Sequence, residues 1–233
     1  MLLLLTTLLI ALAATAQEVG YSDLTRAGAN PLKFKKLMPD SSCNGMFGGD
    51  EVFAIGCPAK TYPFELKLLN ADTDKLLIGG EAFVLLRLQN VGHEAASVPW
   101  IADPDQIELP DENGKFSFLE ADMRANITQD GGTTRFAIPV RLYGAKGAPG
   151  TLKVIRPGDY VEFLVSVALN CKTALRGCQS LKFRQGKLSI TWTESANRVT
   201  YAKCGSSISK SRTRELTSNS TAVSIVRGGW RRH

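Results

Sequence analysis

Histidine is scarce in this chain, and its scarcity limits the chemistry that the protein can perform. The 233 residues include two histidines, His93 and the terminal His233. A Ser–His–acid triad and a cysteine nucleophile both need an imidazole base. His93 and Glu94 begin like a zinc-protease helix, but Ser97 stands where a second histidine ligand is required. We therefore expect neither hydrolysis through imidazole nor a bound metal.

Three common nucleotide and nucleophile motifs are also missing. The sequence has no Gly-x-Ser-x-Gly elbow, no Walker loop and no dinucleotide fingerprint. It shows no repeat of fixed period and, after residue 16, no apolar run long enough to cross a bilayer. We expect a protein without a cofactor and without catalysis.

The N-terminus holds the one long apolar run, at residues 1–16, which contains no acid and no base. Ala14 and Ala16 place small side chains where a signal peptidase reads them before a cut at Gln17. The run is shorter than the roughly 20 residues that span a bilayer. It predicts a signal peptide and a secreted, periplasmic or cell-surface protein. The alternative is an uncleaved membrane anchor.

Five cysteines lie beyond the leader, where an exported chain oxidises pairs of thiols. Short loops cost less entropy to close, which favours the bridges Cys43–Cys57 and Cys171–Cys178. Cys204 is then left over, either as a free thiol or in a bridge to a second molecule. The rival scheme joins Cys171 or Cys178 to Cys204. Zinc is disfavoured because the spacings between cysteines exceed those of a zinc knuckle.

Alternation of apolar and polar residues predicts the fold. It is clear at Phe64-Glu65-Leu66-Lys67-Leu68, at residues 161–167 and at residues 188–193. Residues 83–90 form a nearly continuous apolar strand in which only Arg87 and Gln89 face outward, so we expect both of its faces to be covered. Turn residues separate these segments, so we predict an all-β, antiparallel sandwich over residues 61–226. Residues 17–60 are predicted to be an irregular extension. Residues 119–127 are the one helical candidate, and Pro139 predicts an edge strand.

Two groups of residues resemble those of a known fold family. These are Gly80-Glu81 with Phe83-x-Leu85-x-Arg87-x-Gln89-Asn90, and Pro157-Gly158-Asp159 with Val161-x-Phe163-x-Val165. They resemble the immunoglobulin-like domains of bacterial exported proteins, and they are similar to the β-sandwich proteinase inhibitor of bacilli. The resemblance spans residues 62–194 and implies an immunoglobulin-like sandwich. It also suggests proteinase inhibition through an exposed loop, for which residues 144–150 and 102–110 are the candidates.

Positive charge is concentrated near the C-terminus. Residues 198–233 hold eight bases and one acid, whereas the rest of the chain is nearly neutral. We predict a basic tail over residues 227–233, with Arg227, Arg231 and Arg232 contacting a polyanion; the alternative is a solvated tail. No nucleic acid is expected, because no aromatic residue interleaves with the bases between Lys203 and Arg227.

The candidate ligand-facing residues surround Trp100. Asp103 and Asp105 follow it in an acidic segment, and an exposed Trp beside polar groups can stack on a sugar. The sequence therefore predicts an exported, non-catalytic binding or structural protein whose partner is a protein or a polysaccharide. The alternatives are a proteinase inhibitor and a carbohydrate-binding module or glycan-active enzyme.

Overall fold

The computed structural model describes residues 18–28, 62–107, 115–170, 181–202 and 205–227. These residues form strands and one short turn of 3-10 helix, Pro104–Gln106, and no helix among them is long and apolar enough to cross a membrane. The strands are β1 (Glu18–Asp23), β2 (Phe64–Ala71), β3 (Lys75–Ile78), β4 (Glu81–Asn90), β5 (Ala96–Pro99), β6 (Lys115–Gln129), β7 (Gly132–Ala145), β8 (Leu152–Ile155), β9 (Tyr160–Ala168), β10 (Gln185–Ala202), β11 (Gly205–Thr217) and β12 (Thr221–Arg227).

The strands form two main sheets and one small pair. Sheet A has the order β1-β9-β4-β2, and sheet B has the order β3-β12-β10-β6-β7, with β11 also paired to β10. Strands β5 and β8 pair separately. The all-β prediction is therefore confirmed. The purely antiparallel prediction is wrong, because β1 runs parallel to β9 and β3 runs parallel to β12.

Sheet A follows the predicted alternation. Val161, Phe163, Val165 and Val167 of β9 are fully buried, and so are Val84, Leu86 and Leu88 of β4. On the other face, Arg87 and Glu162 form an ion pair of 2.7 Å between Nη2 and Oε1. The expectation that both faces of β4 are covered is wrong at Phe83, which is 38% exposed.

Strand β1 lies in the segment that was predicted to be irregular. Residues 18–23 of that segment add a parallel strand to the edge of sheet A, and Leu24 is buried directly after it. The rest of the predicted extension, residues 29–60, lies outside the described residues. The prediction failed at β1 because its partner, β9, is more than 130 residues away along the chain.

The helix expected at residues 119–127 is a strand. These residues belong to β6, and Ala121, Met123, Ala125 and Ile127 are buried while the residues between them face the other way. The period of two was present in the sequence, and good helix formers such as Ala and Met obscured it. Tertiary pairing with β7 and β10 outweighs that helical preference.

Strand β7 lies at an edge of sheet B, as Pro139 predicted. Asp122 pairs with Arg141 and Met123 pairs with Ile138, so Pro139 and Val140 lie in a bulge between two paired positions. The proline therefore displaces no ladder hydrogen bond. It is tolerated inside a 14-residue strand for this reason.

The basic C-terminal segment is largely folded into sheet B. Lys210, Arg212 and Arg214 lie on β11, Arg198 lies on β10, and Arg227 is the last residue of β12, where it pairs with Ile78. The tail prediction is therefore corrected at Arg227, which belongs to a strand. Arg231 and Arg232 lie outside the described residues.

The inner faces of the two sheets share one hydrophobic core. Trp192 of sheet B is fully buried with its ring centroid 5.4 Å from that of Phe163 in sheet A, and the ring centroid of Trp100 lies 5.5 Å from that of Phe163. Phe163 thus contacts two aromatic rings, one from β10 and one from the residue that follows β5.

A short connection also fastens the two sheets. The segment between β11 and β12 contains Ser218 and Asn219. Ser218 exchanges backbone and side-chain hydrogen bonds with Ile190 of β10. The Asn219 side chain accepts from the Leu68 N–H at 2.8 Å and donates to the Leu68 carbonyl at 3.1 Å. One turn therefore contacts the backbone of both sheets.

Sheet B is longer than sheet A. Strands β6, β7, β10 and β11 have 13 to 18 residues, whereas the strands of sheet A have 6 to 10. At about 3.3 Å per residue, sheet B must run past the end of sheet A. The outer face of this overhang carries a second apolar cluster, formed by Ile107, Phe118, Tyr143, Ala145 and Val199.

Candidate functional site

A groove of about 750 Å³ opens where sheet A ends and sheet B continues. We call it the overhang groove. The start of β2 and residues 91–97 form one wall, and strands β6, β10 and β11 form the other. Its lining residues that carry polar or charged groups are Tyr62, His93, Glu94, Ser97, Glu194, Arg212 and Arg214. Concave sites of this size that combine apolar walls with a few convergent polar groups are the usual form of ligand pockets.

Glu194 sits in the groove because it continues the inner face of β10. Leu188, Ile190 and Trp192 occupy that face and are fully buried, and two residues further along the same alternation places Glu194, which is 6% exposed. In register it lies between Ala121 of β6 and Arg214 of β11. A carboxylate therefore occupies a position that a strand normally gives to an apolar side chain.

Tyr62 supplies the hydrogen bond that Glu194 requires. The Tyr62 hydroxyl donates to Glu194 Oε2 at 2.9 Å from the opposite wall. Burial raises the pKa of Glu194, while this hydrogen bond and Arg214 oppose the shift. Burial, followed by the charge of Glu194, also raises the pKa of Tyr62 far above its ordinary value. Tyr62 is therefore protonated at neutral pH and able to donate.

Trp192 lies on the inner side of this pair. It lowers the pKa of the Tyr62 hydroxyl by a smaller amount, yet its buried indole N–H makes no well-formed hydrogen bond within the described part of the chain. Tyr62 also packs edge-on against Phe64, with 5.2 Å between ring centroids. Aromatic rings therefore fix the position of the phenol, and they leave its hydroxyl with Glu194 as its acceptor.

Two guanidinium groups line the same groove from β11. Arg214 Cζ lies 5.1 Å from the centroid of the Tyr62 ring, a distance at which a cation is attracted to an aromatic face. Arg212 precedes it on the same face, opposite Ala196. Neither arginine forms an ion pair with a residue in the described ranges, although Arg214 interacts electrostatically with Glu194. Both guanidinium groups line the groove, where their donors can meet an anionic ligand.

Asn90 fixes the rim of the groove. Its fully buried side chain donates from Nδ2 to the carbonyls of Glu94 and Ile155, both at 2.8 Å, and accepts from the Gly92 N–H at 2.9 Å. These bonds hold the start of the segment 91–97, including His93 and Glu94, against the end of β8. The rim is therefore positioned by one amide at the end of β4.

The residues predicted to face a ligand lie elsewhere. Trp100 is partly buried against Phe163, and the Lys153 ammonium lies 5.3 Å above its ring. Asp103 and Asp105 are exposed, and the Asp103 carboxylate accepts from the Asp105 N–H in the short 3-10 turn. None of these three lines the overhang groove.

The two loops predicted to act on a proteinase lie next to each other at the end of sheet B. Ile101 bridges Tyr143, and the Trp100 N–H faces the carbonyls of Tyr143 and Thr151. The Thr151 hydroxyl closes residues 145–151 through hydrogen bonds to Ala145 and Ala148. Residues 144–150 therefore form a closed turn, while residues 108–110 of the other loop lie outside the described ranges.

The other site predictions cannot be placed. Cys43, Cys57, Cys171, Cys178 and Cys204 all lie outside the described residues, so the disulfide pairs stay predictions. Within the described ranges, no three His, Cys, Asp or Glu side chains lie close enough to hold a metal ion.

Sequence reasoning missed the groove residues, although one signal was present. The alternation that placed Leu188, Ile190 and Trp192 on the core face also places Glu194 there. Nothing in the sequence pairs Glu194 with Tyr62, because these residues are 132 positions apart. Arg214 was counted as part of a basic segment, and only the pairing of β11 with β10 shows which wall it belongs to.

Comparison with known proteins adds little to this geometry. No protein-family model matches the chain, and no curated protein matches it. Among solved structures, it is similar to the sporulation control protein Spo0M of Bacillus subtilis, with 10% identity, a TM-score of 0.28, and coverage of 70% of this chain and 49% of that one.

Two further similarities are of the same kind. Beta-glucosidase 3B of Thermotoga neapolitana shares 12% identity over 69% of this chain and 16% of its own, with a TM-score of 0.20. The alkylpurine DNA glycosylase AlkC of Pseudomonas fluorescens shares 9% identity over 67% of this chain and 30% of its own, with a TM-score of 0.22. The chain thus spans half or less of these proteins, and at such TM-scores the similarities carry no argument.

Proposed function

We propose that this chain is an exported, non-catalytic binding module, built on an immunoglobulin-like β-sandwich, that holds an acidic saccharide in the overhang groove. The observation that carries the proposal is the meeting of Glu194, Tyr62, Arg212 and Arg214 in one groove. The leader at residues 1–16 and the cysteine content support export. The layered, strand-rich architecture supports the sandwich.

The charges of the groove favour a ligand that carries both a carboxylate and hydroxyl groups. Arg212 and Arg214 offer guanidinium donors to a carboxylate, which they recognise through paired hydrogen bonds. Glu194 accepts from the hydroxyl of Tyr62, and a carboxylate has further lone pairs for ligand hydroxyls. A sugar acid carries both kinds of group within the span of such a groove.

The same residues argue for binding in preference to catalysis. Glycoside hydrolysis uses two carboxyl groups that flank the scissile bond. In the groove, Glu194 is buried beside Tyr62, whereas Glu94 lies on the exposed rim. The proteinase-inhibitor alternative stays a prediction based on resemblance.

Calorimetric titration with matched sugars tests the proposal. Galacturonate and glucuronate oligosaccharides should bind, and their neutral galactose and glucose counterparts should bind at least about tenfold more weakly, since a hydrogen bond to a charged group contributes about 1.5–3 kcal/mol. The double substitution R212A/R214A should abolish this preference. The control K146A/R156A, which removes two exposed charges elsewhere, should retain it.

Two results would overturn the proposal. One is equal affinity for acidic and neutral sugars in the unmodified protein. The other is an undiminished preference for acidic sugars in R212A/R214A. Thermal unfolding of both double variants shows whether each is folded, and Tyr62→Phe provides a milder change in the opposite wall.

A further inference from the structure

Three cations project from the outer face of sheet B, on the side away from the core. Arg135 of β7 pairs with Asn126 of β6, which pairs with Ser189 of β10. Arg124 lies two residues before Asn126, and Lys187 lies two residues before Ser189. Because paired residues, and residues two apart on a strand, share a face, all three cations lie on one surface. We call Arg124, Arg135 and Lys187 the outer basic patch.

Hydroxyl groups fill the space between these cations. Asn126 donates to Thr191 Oγ1 at 2.8 Å, Thr128 and Thr133 share a hydrogen bond of 3.0 Å, and Thr191 and Thr217 share one of 3.2 Å. These side chains border a shallow depression of about 270 Å³ that also includes Arg124 and Arg135. The bonds between strands hold the hydroxyls in fixed rows, so the surface is shallow, polar and already ordered.

The charges of the patch are weakly neutralised. Arg135 and Lys187 form no ion pair with any residue in the described ranges. Arg124 contacts Asp122 at 3.7 Å, which is long for an ion pair. Asp122 and Glu215 both pair with Thr193 in the next row, and Glu215 also borders the depression. Arg141 lies in that row too, opposite Asp122, but it forms an ion pair with Glu120. The positive charge of the patch is therefore limited to the three rows of Thr128, Asn126 and Arg124.

We propose that the outer basic patch binds an anionic polysaccharide, a linear chain that carries sulfate or carboxylate groups at regular intervals. The cations lie one or two strands apart and are also offset by two or four residues along the strands, so their backbone positions are about 8–14 Å apart, which suits repeated charges along a polymer. A shallow surface contacts only one side of its ligand, so a compact acid would gain little there. The patch shares no residue with the overhang groove.

The absence of aromatic side chains separates this partner from a nucleic acid. Single strands are bound through bases that stack on aromatic rings, and no aromatic side chain borders the described depression. Duplex DNA is read by an element that enters a groove, whereas the patch lies within a flat sheet. The hydroxyl rows can instead hydrogen-bond to sugar hydroxyls.

Retention on immobilised heparin under a salt gradient tests the proposal with the full chain. The variant R124A/R135A/K187A should elute at markedly lower salt. The number of ions released on binding should also fall by about two to three, because each neutralised charge releases a counterion. This number is the slope of log affinity against log salt concentration. The control R26A/K146A/R156A removes the same charge from exposed positions elsewhere and should elute close to the unmodified protein.

The outcomes distinguish binding at the patch from an effect of net charge, from nucleic-acid binding and from binding in the groove. Equal losses in the triple variant and its control would show that only net charge matters, and would overturn the proposal. A preference for duplex DNA over heparin at equal charge concentration would also overturn it. The variant R212A/R214A should lose sugar-acid binding and keep heparin retention, so the two sites can fail independently. Lys187→Ala alone, at an exposed position, should give a partial loss without affecting folding.

Discussion

Trp192 and Glu194 lie two residues apart on the same face of β10, one under sheet A and the other at its end. Trp192 meets Phe163 of sheet A, and the contact is wholly apolar apart from the indole N–H. Glu194 meets the hydroxyl of Tyr62 and the groove. Both side chains are buried. Burial alone therefore does not determine whether a core-facing side chain is apolar or polar. The side chains that it meets on the opposite wall determine this.

The largest expected effect is at Trp192, which lies under sheet A. Trp192→Ala should lower the free energy of unfolding by about 3–5 kcal/mol, because it leaves a cavity between the sheets. Urea unfolding measures the loss. Phe183→Ala, at an aromatic residue that is 51% exposed, is the control and should change stability by about 0.5 kcal/mol or less. Similar losses in both variants would show that the contact between Trp192 and Phe163 does not hold the two sheets together.

The rim of the groove gives the next effect. Asn90→Ala removes three hydrogen bonds and leaves the carbonyls of Glu94 and Ile155 without their side-chain donor. We expect a loss of about 2–4 kcal/mol in unfolding free energy and weaker binding of the groove ligand. Asn70→Ala, at an exposed position on β2, is the matched control. Unchanged ligand affinity in a folded Asn90→Ala protein would show that residues 91–97 do not shape the site.

The smallest effect, and the most specific, depends on pH. Because burial raises the pKa of Glu194, the folded state binds its proton more tightly than the unfolded state does. The carboxyl therefore contributes its full stability below its ordinary pKa of 4.5 and loses it as pH rises through the raised value. The unfolding free energy of the unmodified protein minus that of Glu194→Gln should fall from pH 4 to pH 8.

Tyr62→Phe sharpens this measurement. The Tyr62 hydrogen bond lowers the pKa of Glu194, so its removal should move the pH-dependent difference to higher pH. Both curves come from urea unfolding at a series of pH values. A difference between the unmodified protein and Glu194→Gln that stays constant with pH would contradict the burial of Glu194.

Much of the fold could be predicted from the sequence because alternation is a local signal. It identified β4, β9 and the core face of β10, and Pro139 identified the edge. The prediction failed where neighbours along the chain do not determine the structure. Strand β1 depends on β9, far away in sequence. Strand β11 consists mostly of Ser, Thr, Lys and Arg, so it lacks the apolar half that marks a strand.

The candidate site was harder to predict from the sequence, for the same physical reason. Trp100, Asp103 and Asp105 were chosen because they are close in sequence, and the structure places them away from the groove. The groove combines residues from the start of β2, residues 91–97, and strands β6, β10 and β11. A site assembled from both sheets requires the topology, and no spacing along the chain encodes that topology.

Asn219 makes both of the hydrogen bonds to Leu68 that an added strand would make at that point. Strand β2 is the outermost strand of its sheet, and exposed outer strands are where one protein molecule recruits another into aggregates. A second molecule that adds alongside Leu68 must first displace this amide. A single side chain thus disfavours pairing with a second molecule at this point of β2, and no additional strand is needed to cover it.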